Sequence, residues 1–215
     1  MRTTPAILTA ILATAPSLIS AAGQLGFALG NTNPDGSCKV QSDFVADFAA
    51  IKKSTNSGLV RTYSSSDQYG NNCNTVSAIM PAAKAAGFKV LLGIWPDGPA
   101  KIYNDQVAQL QAANLQQYGD TLYGITVGSE GLYRGTYQVS DLLGWLADSK
   151  SKFGFTKIGT ADSWNCWYNG SMDAIIKSPN LDLAYVTRTS FHRIAHILTA
   201  WQFGERLRVL ASSGH

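Results

Sequence analysis

Glutamate is scarce in this 215-residue chain, standing at Glu130 and Glu205 and nowhere else. Histidine is confined to the tail, at His192, His196 and His215. His192 and His196 have i, i+4 spacing, but Arg193 stands where an HExxH zinc site has its glutamate, so that site is excluded. No Cys-x-x-Cys occurs among Cys38, Cys73 and Cys166, and Ser64-Ser65-Ser66 lacks the context of a nucleophile elbow. The first strand-like run leads into Gly30-Asn31-Thr32-Asn33-Pro34-Asp35-Gly36, which is no Gly-rich phosphate fingerprint and argues against a dinucleotide. Beyond the N-terminus no stretch is long and apolar enough for a membrane helix. No metal, cofactor, nucleic acid or membrane span is therefore expected.

The formal charge of +3 does not argue otherwise. Residues 1–186 hold 13 Lys and Arg against 13 Asp and Glu, so that part is neutral. The tail 187–215 carries Arg188, Arg193, Arg206 and Arg208 against one acid, Glu205. This is a change of residue usage along the chain rather than a basic patch that would hold nucleic acid.

What is present begins with a processing signal. Met1-Arg2 supplies a positive charge, Ile7 to Ile19 is apolar but too short to span a bilayer, and Ser20-Ala21-Ala22 offers a small-residue cleavage site. Residues 1–22 are expected to be a signal peptide, and the mature chain to be secreted, extracellular or in a cell wall. The remaining 193 residues (215 − 22) suffice for one well-buried domain. Three cysteines suit an oxidising compartment; either one pair forms and one thiol is left over, or a partner lies outside this chain. Asn169-Gly170-Ser171 is a glycosylation acceptor or else an unmodified loop.

Strand-like runs start near Leu25, Gly58, Lys89, Leu122, Lys157 and Leu181, the first five spaced 33, 31, 33 and 35 residues apart. Helical spacing of apolar residues fills the intervals over Asp43–Lys53, Thr75–Ala86, Gln106–Tyr118 and Ser140–Phe153, with Ser140 as a candidate N-cap. Strand and helix alternating at a steady stride predict a parallel α/β sheet, and without a nucleotide fingerprint the closed (β/α)8 TIM-type barrel is favoured over an open sheet. Eight units at this stride need about 260 residues. The predicted barrel is thus incomplete, with about six of eight βα units over residues 23–186 and an atypical tail over 187–215. An unfinished barrel would expose two strand edges, at strands one and six.

In such barrels chemistry sits at the C-terminal ends of strands. Leu122-Tyr123-Gly124-Ile125-Thr126-Val127-Gly128-Ser129-Glu130 is an apolar, β-branched run that delivers one carboxyl at its end. Glu130 is the candidate acid/base, or else a surface glutamate paired with Arg134. Tyr63, Trp95 and Trp164 fall at other strand ends, where ring faces pack against the C–H faces of a sugar; each is otherwise core or loop packing. Asp67 and Asp162 are strand-end carboxylates that read as loop hydrogen bonding or helix capping.

These residues carry a resemblance. Gly26–Lys39, Leu59–Asp67, Gly87–Asp97, Ile125–Gly135 and Ile158–Trp167 resemble, in order, fungal members of glycoside hydrolase family 17. These are secreted or wall-associated β-1,3-glucanases, some of which are glucanosyltransferases. The resemblance implies an eight-stranded barrel and hydrolysis with retention, with Glu130 as acid/base and Tyr63, Ser129, Tyr133 and Trp164 at the substrate, joined by Trp95 from the strand-end reading. Ser129 stands where many members have Asn. The family's nucleophile is a second glutamate in a Glu-Thr/Ser-Gly-Trp-Pro motif, which this chain lacks; Glu205 is followed by Arg206, not by Gly-Trp-Pro. The family pattern is expected to stop after Val186, with the tail arising from a translated intron or shifted frame, or else as a genuine helix lined by Ile194, Ile197, Leu198 and Trp201. The expected protein is a β-1,3-glucan-directed monomer, inactive as it stands; the alternatives are a non-catalytic glucan-binding wall protein and a glucanosyltransferase.

Overall fold

All six expected strands form. The computed structural model describes residues 24–65, 73–187 and 208–212. Its strands are β1 (Gln24–Leu29), β2 (Leu59–Thr62), β3 (Lys89–Ile94), β4 (Leu122–Ser129), β5 (Ile158–Ser163) and β6 (Leu183–Thr187). Every residue of β4 is buried, because a parallel strand is covered on both faces and so reads as a continuous apolar run. The helices between them are α1 (Gln41–Ser54), α2 (Thr75–Ala86), α3 (Ala100–Ala112), α4 (Gly131–Arg134), α5 (Val139–Phe153), α6 (Trp164–Tyr168) and α7 (Asp173–Ile176).

The helix boundaries follow from caps and from apolar spacing. Phe44, Phe48 and Ile51 lie one turn apart and bury one stripe of α1. Asn74 caps α2 by accepting the Ser77 N–H at 3.2 Å, and Gly87 ends that helix at φ 69°, where a side chain would be strained. Two expected boundaries shift. Helix α3 begins after Pro99 and its buried stripe starts at Tyr103, ahead of the expected Gln106. The N-cap of α5 is Gln138, whose N–H is accepted by Asp141 at 2.9 Å, so Ser140 lies inside the helix.

A seventh strand corrects the expectation of open edges. Arg208–Ser212 forms β7, and the order β1-β2-β3-β4-β5-β6-β7 closes on itself. β7 runs parallel to both neighbours, with Gln24 opposite Leu210 on β1 and Leu183 opposite Arg208 on β6. Part of the atypical tail thus supplies ladder partners to the two strands that six units alone would leave bare.

The core has two layers. The larger cluster packs the helices onto the outside of the strands through Phe44, Phe48, Ile79, Leu92, Ile125 and Leu142. The smaller one, Leu59, Leu91, Tyr123, Ala161, Leu183 and Tyr185, comes from strand residues alone and fills the barrel's interior. Cys38 and Cys73 form a disulfide and Cys166 is a buried free thiol, which settles the pairing left open by an odd count.

A chain stopped before Arg208 loses β7 and bares both edges. It is expected to elute as aggregate in size-exclusion chromatography, while the full chain runs as one sharp species. A shortened chain that stays monodisperse would show that β7 does not protect the edges.

Candidate active site

The end of β4 is built around a backbone conformation that most residues avoid. Glu130 lies in the left-handed region at φ 57° and ψ 20°. For a residue with a Cβ this costs about 1–2 kcal/mol and persists only where neighbours enforce it. The Glu130 N–H donates to the Ala161 carbonyl at 3.0 Å, and its own carbonyl accepts the Arg134 N–H at 2.9 Å. Gly128, at φ 82°, and Gly131 flank it, and a Cβ on either would come within 2.1 Å and 1.9 Å of the Tyr137 side chain. Tyr137 therefore fills the hollow under the turn. Burial pushes its phenol well above the usual range, reinforced by the nearby Asp162 and Asp97 charges.

Asp162, on β5, is the second enforcer. It is fully buried and accepts the N–H groups of Leu132 at 3.1 Å, Tyr133 at 3.3 Å and Ser163 at 2.7 Å. Two of these are orphan donors at the start of α4, so Asp162 caps the helix that begins beside Glu130. Burial raises its carboxyl above the ordinary aspartate value, opposed by those three N–H groups and by the Cys166 thiol. Burial also pushes the Cys166 thiol up to about 12, with the Asp162 charge adding to it.

Cations and aromatic rings alternate across the barrel mouth. The Arg61 guanidinium, on β2, lies 4.7 Å from the Tyr185 ring of β6 and 5.1 Å from the Tyr63 ring. Tyr63 meets Trp95 edge-on at 6.2 Å, and Arg134 covers Trp95 at 4.8 Å. Arg134 is anchored by an ion pair to Asp97 at 2.7 Å and by a hydrogen bond from Nη2 to the Ser129 carbonyl at 2.8 Å. It is thus committed to Asp97, just past β3, and to the end of β4. Arg61 is only 3% exposed; burial lowers its pKa, while Tyr185, Tyr63, Glu130 and Tyr137 act in the opposite sense. Trp95 is fixed from behind by the buried Gln106 amide, which accepts its N–H at 2.9 Å and donates to its carbonyl at 2.7 Å.

The expected site residues gather into two groups around β4. Tyr63 and Trp95 touch on the β2–β3 side, with Tyr63 42% exposed. On the β5 side Tyr133 and Trp164 line a cavity of about 480 Å³ with Tyr168, Asn169 and Ser171. Glu130 stands at the end of the strand between them and is partly buried. Ser129 is buried, and its carbonyl serves Arg134. Asp162 has the capping role expected for it, and Asp67 lies outside the described residues. A second cavity of about 510 Å³ opens at the opposite barrel end beside Tyr123, Lys157 and Phe155 and holds none of these residues. Among the described residues no cluster of His, Cys, Asp or Glu is placed to hold a metal ion.

Several parts of the site had escaped the sequence reading. Arg61, Asp97, Gln106, Tyr137, Tyr168 and Tyr185 were not candidates. The available signals were an arginine and a glutamine on otherwise apolar faces, both unusual in a core.

Comparison with known proteins supplies the family and the fold. A family described as the BtgE/BtgC glycoside hydrolase domain matches residues 26–203, running past Val186 into the tail. A glucan 1,3-beta-glucosidase of Arthroderma benhamiae is 44% identical over 170 residues, covering 79% of this chain and 52% of that protein. Its counterpart in Schizosaccharomyces pombe is 40% identical over 162 residues, covering 72% and 48%. The chain therefore spans about half the length of these relatives. Among solved structures, a family 17 beta-1,3-glucanosyltransferase from Rhizomucor miehei aligns with a TM-score of 0.65 at 22% identity, covering 87% of this chain and 70% of that one, which supports the fold.

The raised carboxyl of Asp162 has a definite sign in stability. The folded state holds its proton more tightly than the unfolded state, so this group's contribution is greatest below the ordinary aspartate pKa, about 3.9. It is lost as pH rises through the higher folded value. Urea midpoints measured from pH 3 to pH 8 should show this declining component, and Asp162→Asn should remove it. A profile unchanged by the substitution would place the proton elsewhere.

Proposed function

Because the chain belongs to the BtgE/BtgC glycoside hydrolase domain family, we propose that its barrel mouth binds β-1,3-glucan and that Glu130 is the proton donor there. One observation carries the reading: Glu130 directly follows β4, the strand that lies between two aromatic pairs, Tyr63 with Trp95 and Tyr133 with Trp164. Pyranose rings present C–H faces to such side chains, and tyrosine and indole tips orient the hydroxyls. A glucan laid across both groups passes over Glu130, which protonates the departing glycosidic oxygen.

Retaining hydrolysis needs a second carboxyl about 5–5.5 Å away, to attack the anomeric carbon. Among the described residues Asp162 is engaged by three backbone N–H groups and Asp97 by Arg134, so neither serves. Arg61 points to the vacant role. Its Nε and Nη2 are buried and meet no acceptor among the described residues, and its charge interacts with Glu130. A carboxylate beside it would be matched in charge and in hydrogen-bonding geometry. This chain's own residues supply the donor and the cleft but no identified nucleophile. The reading is therefore glucan binding with negligible turnover, at a wall or outside the cell if the N-terminal segment directs export.

Laminarin binding and reducing-sugar release by the full chain, made in a bacterial host that adds no N-glycan, test this together. Binding is expected, with Trp95→Ala and Trp164→Ala each weakening it up to about tenfold, as loss of about 0.5–1.5 kcal/mol of ring packing implies. Glu130→Gln should bind within a few-fold of the parent. Sugar release at a useful rate that vanishes in Glu130→Gln would confirm the donor but overturn the claim of negligible turnover. Absence of binding would overturn the glucan reading.

A further inference from the structure

We propose that Asn169 carries an N-linked glycan whose first sugar seats against Trp164 and Tyr168 and closes the cavity on the β5 side of the mouth to glucan. The masking of glucan rests on the function proposed above; the modification and its seat do not.

Asn169, Gly170 and Ser171 are all exposed, in the turn between α6 and α7. The turn is ordered from both sides. The Asn169 N–H donates to the Asn165 carbonyl at 2.9 Å, Gly170 reverses the chain at φ 84°, and the Asp173 N–H donates to the Gly170 carbonyl at 3.1 Å. The Asn169 Oδ1 accepts the Ser171 N–H at 2.9 Å. This Asx turn commits the side-chain oxygen to the backbone and leaves Nδ2 to react. The donor is a lipid-pyrophosphate-linked oligosaccharide of the secretory route. Nδ2 attacks C1 of its first N-acetylglucosamine: the N–C1 bond forms, the bond from C1 to the phosphate oxygen breaks, the lipid pyrophosphate leaves with the electron pair, and Nδ2 gives up one proton to a base.

The sugar's seat lies beside the acceptor. Asn169 and Ser171 share the wall of the cavity of about 480 Å³ with Tyr133, Trp164 and Tyr168. Tyr168 is 62% and Tyr133 55% exposed, large for aromatic side chains, and the Trp164 and Tyr168 rings lie 6.3 Å apart. A sugar tethered at Asn169 meets these faces at an effective concentration in the millimolar range, which a free glucan unit must exceed. Covering exposed rings with the C–H face of N-acetylglucosamine also removes apolar surface from water. The Tyr63–Trp95 half of the mouth carries no such acceptor among the described residues and stays open.

The full chain secreted from a yeast host tests this. Peptide N-glycosidase should lower its intact mass by one glycan, and neither Asn169→Gln nor Ser171→Ala should carry that mass; no shift in the parent overturns the modification. Acrylamide quenching of tryptophan emission then reads the seat. Quenching should rise after complete removal but not after an endoglycosidase that leaves the first sugar, and the rise should disappear in Trp164→Phe or, if that variant does not fold, shrink in Tyr168→Leu. Equal quenching in all glycoforms overturns the seat. Laminarin should bind about tenfold more tightly after complete removal; equal affinity overturns the masking. If no glycoform binds laminarin, the glucan reading falls, while mass and quenching still decide the glycan.

Discussion

The mouth of this barrel depends on the left-handed turn at Glu130. A non-glycine residue there adopts that geometry only under constraint, and the constraints come from separate elements. β5 supplies the Ala161 carbonyl and the Asp162 carboxylate. The segment leading into α5 supplies Tyr137, against which the absence of a side chain at Gly128 and Gly131 is required. Enlarging either glycine, or uncapping α4 at Asp162, would release the turn and move the Glu130 carboxyl. The local cost of about 1–2 kcal/mol is small beside the packing that enforces it.

From that turn the rest of the mouth is tied together laterally. Arg134, four residues past Glu130 in α4, joins three features: the Trp95 ring and the Asp97 carboxylate just past β3, and the Ser129 carbonyl at the end of β4. Trp95 is in turn clamped by Gln106 and meets Tyr63, which lies over Arg61. Tyr63 and Trp95 are thus not loose surface residues. The Trp95 backbone is hydrogen-bonded and the faces of both rings are set by cations, and such preorganisation lowers the ordering cost of binding.

The architecture was legible because it is periodic. Apolar runs at a near-constant stride predict βαβ units, and Glu130 stood out because its strand is apolar up to its last residues. The capping role of Asp162 was also readable, since a carboxylate just past a strand is a common helix partner. The remainder depends on distant pairings that leave no periodic trace. Gln106 belongs to Trp95, Tyr137 fits beneath Gly131, and Arg61 lies between Tyr63 and Tyr185. β7 was hidden for another reason. Arg208–Ser212 is short and lies in a segment whose arginine usage departs from the rest, so composition argued against it even though two bare edges at strands one and six were foreseen.

Arg61 carries the argument from structure back to chemistry. Removing a guanidinium from water costs several kcal/mol, and ring faces return about 0.5–2 kcal/mol each. Two tyrosine rings therefore do not offset the burial of a cation with two nitrogens that meet no acceptor among the described residues. An apolar side chain of similar volume would fill the barrel's interior, as Leu59 does two residues earlier on the same strand, without that penalty. A cation held there at a loss of stability marks a place where negative charge is to be met. Glu130 is among the groups that favour its charge, which puts that place on the Glu130 side of the mouth. The chain thus keeps a charge environment suited to a carboxylate pair while its described residues present one of the two.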